Sequence, residues 1–238
     1  MNERESAFWD YQDLLMFVAA FFPALLGAGL FVGVLSRGLG LPGIGKAPQL
    51  LAAQFLGYAL WFGFLYLILW LKYDRPFWTS LGWVRFGDRF WQHLVSGVAL
   101  ALAIGFLGAL LRTPDLDTPM KRLLSDRLSV ILIGAAAATV GPLCEELAFR
   151  GFVQPILVRS LGAAPGIVLT ALPFALLHGP EYAWSWRHVL LIATAGCSFG
   201  WIRHRTGSTA AAAVVHAGYN ATFFAAMLIS GKDFPAKW

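Results

Sequence analysis

Seven apolar stretches dominate this 238-residue sequence, and most are long enough to cross a lipid bilayer as a helix, which takes about 20 apolar residues. They are Leu14–Leu35, Gln49–Leu71, Trp91–Leu111, Leu128–Val158, Gly162–His178, His188–Ile202 and Ser208–Ser230. None alternates polar and apolar residues with a period of two, which argues against a β-barrel. The sequence therefore predicts an all-α, polytopic transmembrane bundle of seven helices, or eight if Pro142 breaks the long fourth stretch.

Composition supports a membrane protein and limits the partners. Only 13% of the residues are charged, against about a quarter in a soluble domain. The net charge of +5 is read as loop lysine and arginine facing anionic lipid, so a lipid bilayer is the expected partner and nucleic acid is not. Because no repeat or linker interrupts the chain, residues 1–238 are predicted to form a single membrane domain, multi-pass and in the cell membrane. The oligomeric state is left open.

Several polar residues lie inside the apolar stretches, where a charge costs roughly 2.5–3.5 kcal/mol and marks a candidate functional site. Glu146 and Arg150 are four residues apart and share a helix face, which favours a structural ion pair. Glu145 points about 100° away from Glu146 and has no such partner in the helix. It is either a general base with a raised pKa or a protonated, hydrogen-bonded carboxyl group.

Two other helices carry polar residues with equally ordinary explanations. His178 ends an apolar run before Gly179-Pro180 and could simply interact with the helix dipole. His216 and Asn220 share a face and could form a hydrogen-bonded pair between helices. Counted from one membrane face, however, Glu145, His178, His216 and Asn220 lie at depths of roughly 20, 24, 12 and 18 Å. We therefore expect three helices to bring these groups together.

Three short motifs combine these residues. They are Glu145-Glu146-Leu-Ala-Phe-Arg150, Phe174-Ala-Leu-Leu-His178 and His216-Ala-Gly-Tyr-Asn220. Their order and spacing resemble the EExxxR, FxxxH and HxxxN motifs of the CPBP family, which comprises type II CAAX prenyl endopeptidases and bacterial relatives, including bacteriocin-immunity (Abi) proteins. The resemblance covers residues 128–230, the expected catalytic core, and none of the first three stretches.

The resemblance implies an intramembrane glutamate endopeptidase that hydrolyses a peptide bond near the membrane. Glu145 would correspond to the base that activates water, helped by His178, while His216 and Asn220 would stabilise the oxyanion. The supporting residues would be Glu146 and Arg150. The implied substrate is a peptide or a lipidated protein, with CAAX-type processing of prenylated proteins as one form, and no cofactor is expected.

Other functions use the same residues. Two histidines and a glutamate could bind a catalytic zinc ion, although the sequence has no HExxH helix and asparagine is a poor zinc ligand. A membrane partner or immunity protein could keep the motifs and act by binding alone. A small transporter is a further alternative, but the matched repeats typical of such proteins are not found.

Two GxxxG spacings, Gly29/Gly33 and Gly196/Gly200, are interpreted as sites of close helix packing within the chain rather than as dimer faces.

Overall fold

The computed structural model describes residues 7–40, 46–124 and 126–230, most of which are helical, and none of these described residues forms a β-strand. The long helices of the first half are α1 (Tyr11–Gly38), α2 (Lys46–Leu67, continued by a π-helical turn at Ile68–Lys72) and α4 (Phe90–Leu110). The short helices α3 (Phe77–Ser80) and α5 (Pro119–Leu123) lie in the connections before and after α4. The predicted all-α fold is confirmed.

The second half contains the remaining helices. They are α6 (Arg127–Ala138), α7 (Val140–Glu146), a π-helical segment (Leu147–Val153), α8 (Gln154–Leu161), α9 (Ala163–Leu177), a 3-10 turn (Gly179–Tyr182), α10 (Trp186–Thr206) and α11 (Thr209–Ser230). All seven predicted stretches thus coincide with helices. Five helical segments of the described chain are long and apolar enough to span a membrane: α1, α2, α4, the run from α6 through α8, and α11.

The long fourth stretch is broken, but at Thr139 rather than at Pro142. The backbone of Thr139 leaves the helical region with φ −134° and ψ −79°, which separates α6 from α7. Proline is the cause, because its ring clashes with the carbonyl group four residues earlier and it lacks an N–H donor. The residue four positions before Pro142 is Ala138, where α6 ends. The predicted break in the fourth stretch is therefore observed, but five segments of the described chain, rather than seven or eight, are long and apolar enough to span a membrane.

Helix α11 lies at the centre of the second half and packs against α4, α6, α7 and α10. Glycines allow the closest of these approaches. A Cβ atom on Gly97 of α4 would lie 2.1 Å from the carbonyl oxygen of Val215, and one on Gly218 would lie 2.6 Å from that of Leu94. The middle of α11, which carries His216 and Asn220, is thereby held against α4.

The two GxxxG spacings have different outcomes. A Cβ on Gly196 would lie 3.2 Å from Arg150 Nη2, and one on Gly200 would lie 2.7 Å from Gln154 Oε1. The prediction of close packing is confirmed for this pair on α10. It is wrong for Gly29 and Gly33 on α1, where an added Cβ would meet no atom within 4 Å, because that face of α1 points away from the rest of the described chain.

Candidate active site

Glu146 and Arg150 lie at the start and in the middle of a π-helical segment, and both side chains are fully buried in the protein interior. Arg150 Nη1 donates to Glu146 Oε1 over 2.9 Å, and Arg150 Nη2 donates to the carbonyl oxygen of Gly196 over 2.7 Å. The predicted ion pair is thus confirmed. Insertions of this π-helical kind are frequent at functional sites.

The environment of the Arg150 guanidinium explains how a charge can be buried there. The ring of Phe174 lies 4.5 Å from its central carbon and that of Phe199 lies 5.4 Å away. Aromatic faces attract a cation electrostatically, and the Gly196 carbonyl accepts one of its protons. One helical turn later, Gln154 Nε2 donates to the carbonyl oxygen of Gly200 over 2.9 Å. These two bonds fix the position of α10 relative to the π-helical segment.

His216 connects the two glutamates. Its Nδ1 atom lies 2.9 Å from Glu146 Oε1, and its Nε2 atom lies 3.8 Å from Glu145 Oε2. Since an ionised carboxylate only accepts hydrogen bonds, Glu146 holds a proton on Nδ1 and directs Nε2 towards Glu145. The ring also stacks on Phe199 with a centroid distance of 4.3 Å. The sequence did not reveal this contact, because His216 and the glutamates are about 70 residues apart.

Glu145 is more exposed than Glu146, as expected for a side chain that points to a different face of the helix. Its side chain is about one quarter exposed, whereas that of Glu146 is fully buried. Its Oε2 atom makes no hydrogen bond within the described chain. The carboxylate is therefore partly exposed, and its ion-pair partner is His216, at 3.8 Å.

His178 ends α9, and its Nδ1 atom lies 2.8 Å from the carbonyl oxygen of Phe174. A carbonyl oxygen can only accept, so Nδ1 carries the proton and Nε2 is left as the second functional atom of the ring. The FxxxH spacing thus has a physical reason, since residues four apart on a helix are neighbours. The phenyl ring of Phe174 lies beside the imidazole with a centroid distance of 4.9 Å.

Asn220 lies one helical turn after His216 on α11, and its Nδ2 atom donates to the carbonyl oxygen of Ala137 over 2.9 Å. Ala137 belongs to the last turn of α6, where the break at Thr139 leaves carbonyl groups without helical partners. Asparagine therefore links α11 to the end of α6. Its second amide proton and its carbonyl oxygen are left for other partners.

All four of these predicted catalytic side chains line one cavity of about 640 Å³. Glu145, His178, His216 and Asn220 enter it from α7, α9 and α11, so the predicted convergence of three helices is confirmed. Glu146 and Arg150 lie behind the wall and do not line it. This position agrees with a supporting role for that pair.

The cavity also contains polar residues that the sequence reasoning missed. Glu181 and Tyr182, in the turn after α9, line it together with His188 of α10 and Gln54 of α2. The sequence held one signal for Glu181: it follows His178 by three residues, about one helical turn, and could therefore lie near it. Because the segment Gly179–Ser185 resembles an ordinary polar loop, nothing in its pattern indicated that it faces the site.

The described side chains do not form a zinc site. A catalytic zinc site has three protein ligands from His, Cys, Asp or Glu that converge on one point. No such group of three is found in the described parts of the chain. We therefore derive no step through zinc.

The fold and the cavity define an integral membrane protein with a glutamate–histidine–asparagine site enclosed by its helices. Residues 127–222 match the family model described as Type II CAAX prenyl endopeptidase Rce1-like. This segment runs from α6 into α11 and contains all three motifs, so the match confirms the resemblance predicted from them. No curated protein and no solved structure matched the chain.

Proposed function

We propose that this protein is an intramembrane endopeptidase that hydrolyses a peptide bond with water activated by Glu145. The observation that carries the proposal is the shared cavity of Glu145, His178, His216 and Asn220, with the Glu146–Arg150 pair behind it. The match of residues 127–222 to the Rce1-like family model supports the same class of reaction.

In the proposed reaction the Glu145 carboxylate takes a proton from water while the water oxygen attacks the carbonyl carbon of the peptide bond. A general base contributes about 10²–10⁴ in rate when it is correctly placed. His178 assists through Nε2, the atom that its bond to Phe174 leaves available. Cleavage of the carbon–nitrogen bond then returns a proton to the leaving amine.

The tetrahedral intermediate carries a negative oxygen that needs hydrogen-bond donors. Asn220 can supply its second amide proton, since the first is used by the Ala137 carbonyl. His216 can act as a second donor through Nε2 when both of its ring nitrogens carry a proton. Fixed donors of this kind lower the barrier because they need no reorganisation during the reaction.

The direct test is Glu145→Gln, which keeps the size of the side chain but cannot accept a proton. The variant protein, purified in nanodiscs, should unfold at the wild-type temperature and cleave a quenched fluorescent peptide roughly 10²–10⁴ times more slowly. Asp117→Asn is the matched control, because Asp117 is exposed and bonded to Arg122 outside the cavity. Near wild-type turnover of Glu145→Gln would remove this residue from the mechanism.

The same preparation separates the remaining alternatives. If a chelator abolishes activity and zinc restores it, a metal mechanism replaces the one proposed. If the wild-type protein cleaves neither prenylated nor unmodified peptides, and its cellular phenotype survives Glu145→Gln, the protein acts by binding and the proposal is wrong.

A further inference from the structure

One wall of the cavity is formed by the turn between α9 and α10, which belongs to none of the three motifs. Glu181 and Tyr182 follow each other in this turn, and both line the cavity next to His178. The Tyr182 ring stacks on His188 with a centroid distance of 4.8 Å and an interplanar angle of 17°. This wall of the cavity therefore offers both a carboxylate and an aromatic ring.

Glu181 has no basic partner within ion-pair distance in the described chain. Lys121 is the single lysine or arginine among the described residues that line the cavity, and it is bonded to Asp115 over 2.6 Å. Apart from this pair and the histidines, the ionisable side chains of the wall that carry a charge are the carboxylates of Glu145 and Glu181. A cationic group in the cavity would therefore meet two carboxylates that have no lysine or arginine partner.

Backbone hydrogen bonds hold the turn that carries Glu181. Its backbone N–H donates to the carbonyl oxygen of His178 over 3.1 Å, and that of Trp184 donates to the carbonyl oxygen of Gly179 over 2.8 Å. A Cβ on Gly179 would lie 2.5 Å from the Trp184 ring, which covers this glycine. A preorganised group loses little entropy on binding.

We propose that Glu181 is a specificity-determining residue that binds a cationic group of the peptide substrate, with the Tyr182 ring beside the cation. The proposal rests on the proposed function and names a substrate class for it: peptides with a lysine or arginine side chain near the scissile bond. The long aliphatic part of a lysine or arginine also suits the apolar remainder of the wall, such as Leu191 and Ile192.

A pH dependence follows from the surroundings of Glu181. Burial raises the pKa of this carboxyl group, the positive charge of His178 opposes the rise, and the negative charge of Glu145 adds to it. A bound cation favours the ionised form, so affinity for a cationic peptide should increase as pH rises through this pKa. The other titratable groups that line the cavity are Asp115, Lys121, Tyr182, His188, His216 and Tyr219.

The experiment measures peptide binding in the Glu145→Gln background, where no cleavage is expected to interfere. The probes are a short apolar peptide with one lysine and its norleucine counterpart, each made with a free and with an acetylated amino terminus. We expect the lysine peptide to bind roughly tenfold more tightly than the acetylated norleucine peptide, and Glu181→Gln to remove that difference. Glu181→Asp should keep the preference for the lysine peptide. Glu181→Lys should reverse the preference in favour of a further probe, the same apolar peptide with glutamate in place of lysine.

The acetylated and free termini distinguish a side-chain cation from an α-amino group as the group recognised. Asp117→Asn, outside the cavity, should leave the preference unchanged. If Glu181→Gln lowers the affinity for all peptides equally, Glu181 acts through His178 or the fold, and the proposal is overturned. Equal binding of all peptides before any change at Glu181 also refutes it. Absence of hydrolysis by the wild-type protein, in contrast, contradicts only the proposed function.

Discussion

Arg150→Met tests whether the buried ion pair supports the fold. The change removes two hydrogen bonds, of 2.9 Å to Glu146 and 2.7 Å to the Gly196 carbonyl. It leaves a fully buried carboxylate with His216 as the remaining contact. Removing one partner of a buried pair costs about 3–5 kcal/mol, mostly because the other charge is left uncompensated. Glu146→Leu should be similarly destabilising, because Arg150 then keeps only the Gly196 bond.

The double variant Glu146→Leu/Arg150→Met removes both charges and should recover part of the loss. Replacing a complete buried pair by apolar residues is often nearly neutral, so we expect a cost of about 1–2 kcal/mol and a coupling energy above 3 kcal/mol. Unfolding can be followed by titrating the protein in mild detergent with a denaturing detergent. Arg159→Met is the matched control on α8, where the arginine binds the backbone carbonyls of Ala7 and Trp9 near the surface.

Stability and activity should separate in this series. The double variant folds better than either single variant but stays inactive, because His216 has lost the carboxylate that orients its Nδ1 atom. If the double variant is no more stable than the two single variants, the pairing does not support the fold. If it regains activity, Glu146 does not position His216.

Two further predictions concern the neighbouring helices. Asn220→Ala should lower turnover by about 10²–10³ with little change in KM, since it removes an oxyanion donor. The control is Thr222→Ala on the same helix, which loses a hydrogen bond to the Gly218 carbonyl and should keep normal turnover. Gly200→Ala should destabilise the protein by about 1–3 kcal/mol, because its Cβ would lie 2.7 Å from Gln154 Oε1 and 2.9 Å from Ile167 Cγ2. Gly29→Ala is the control, because no atom lies within 4 Å of the new Cβ, and it should change stability by less than about 1 kcal/mol. Equal destabilisation by Gly200→Ala and Gly29→Ala would contradict the packing argument.

Much of the architecture was predictable because it depends on local properties of the chain. Apolar length and the scarcity of charge predict helices that cross a bilayer, and the ring of Pro142 predicts a break in the fourth stretch. The position of the break was displaced to Thr139, since proline disturbs the preceding turn rather than its own position. The pairing of Glu146 with Arg150 was also local, because four residues equal about one helical turn.

The lateral packing of the helices was not predictable in this way. The depths counted along each helix indicated that the four predicted catalytic residues lie in one membrane layer. Such a count of residues does not show how each helix is rotated about its own axis, and so does not show which neighbour a side chain faces. The contact of His216 with both glutamates therefore appears only when α7 and α11 are packed together. The close packing assumed for Gly29 and Gly33 was wrong for the same reason, because spacing on one helix does not say which helix faces it.

The sequence by itself determined the membrane-spanning helices, the three motifs and the intrahelical ion pair, since each depends on neighbours along one segment. The tertiary structure decided which groups share the cavity, including Glu181 and Tyr182 from a turn without any motif. It also decided that Glu145 faces this cavity while Glu146 lies behind its wall. The physical reason is that burial and electrostatic environment depend on every element packed around a side chain, and those elements are far apart along the chain.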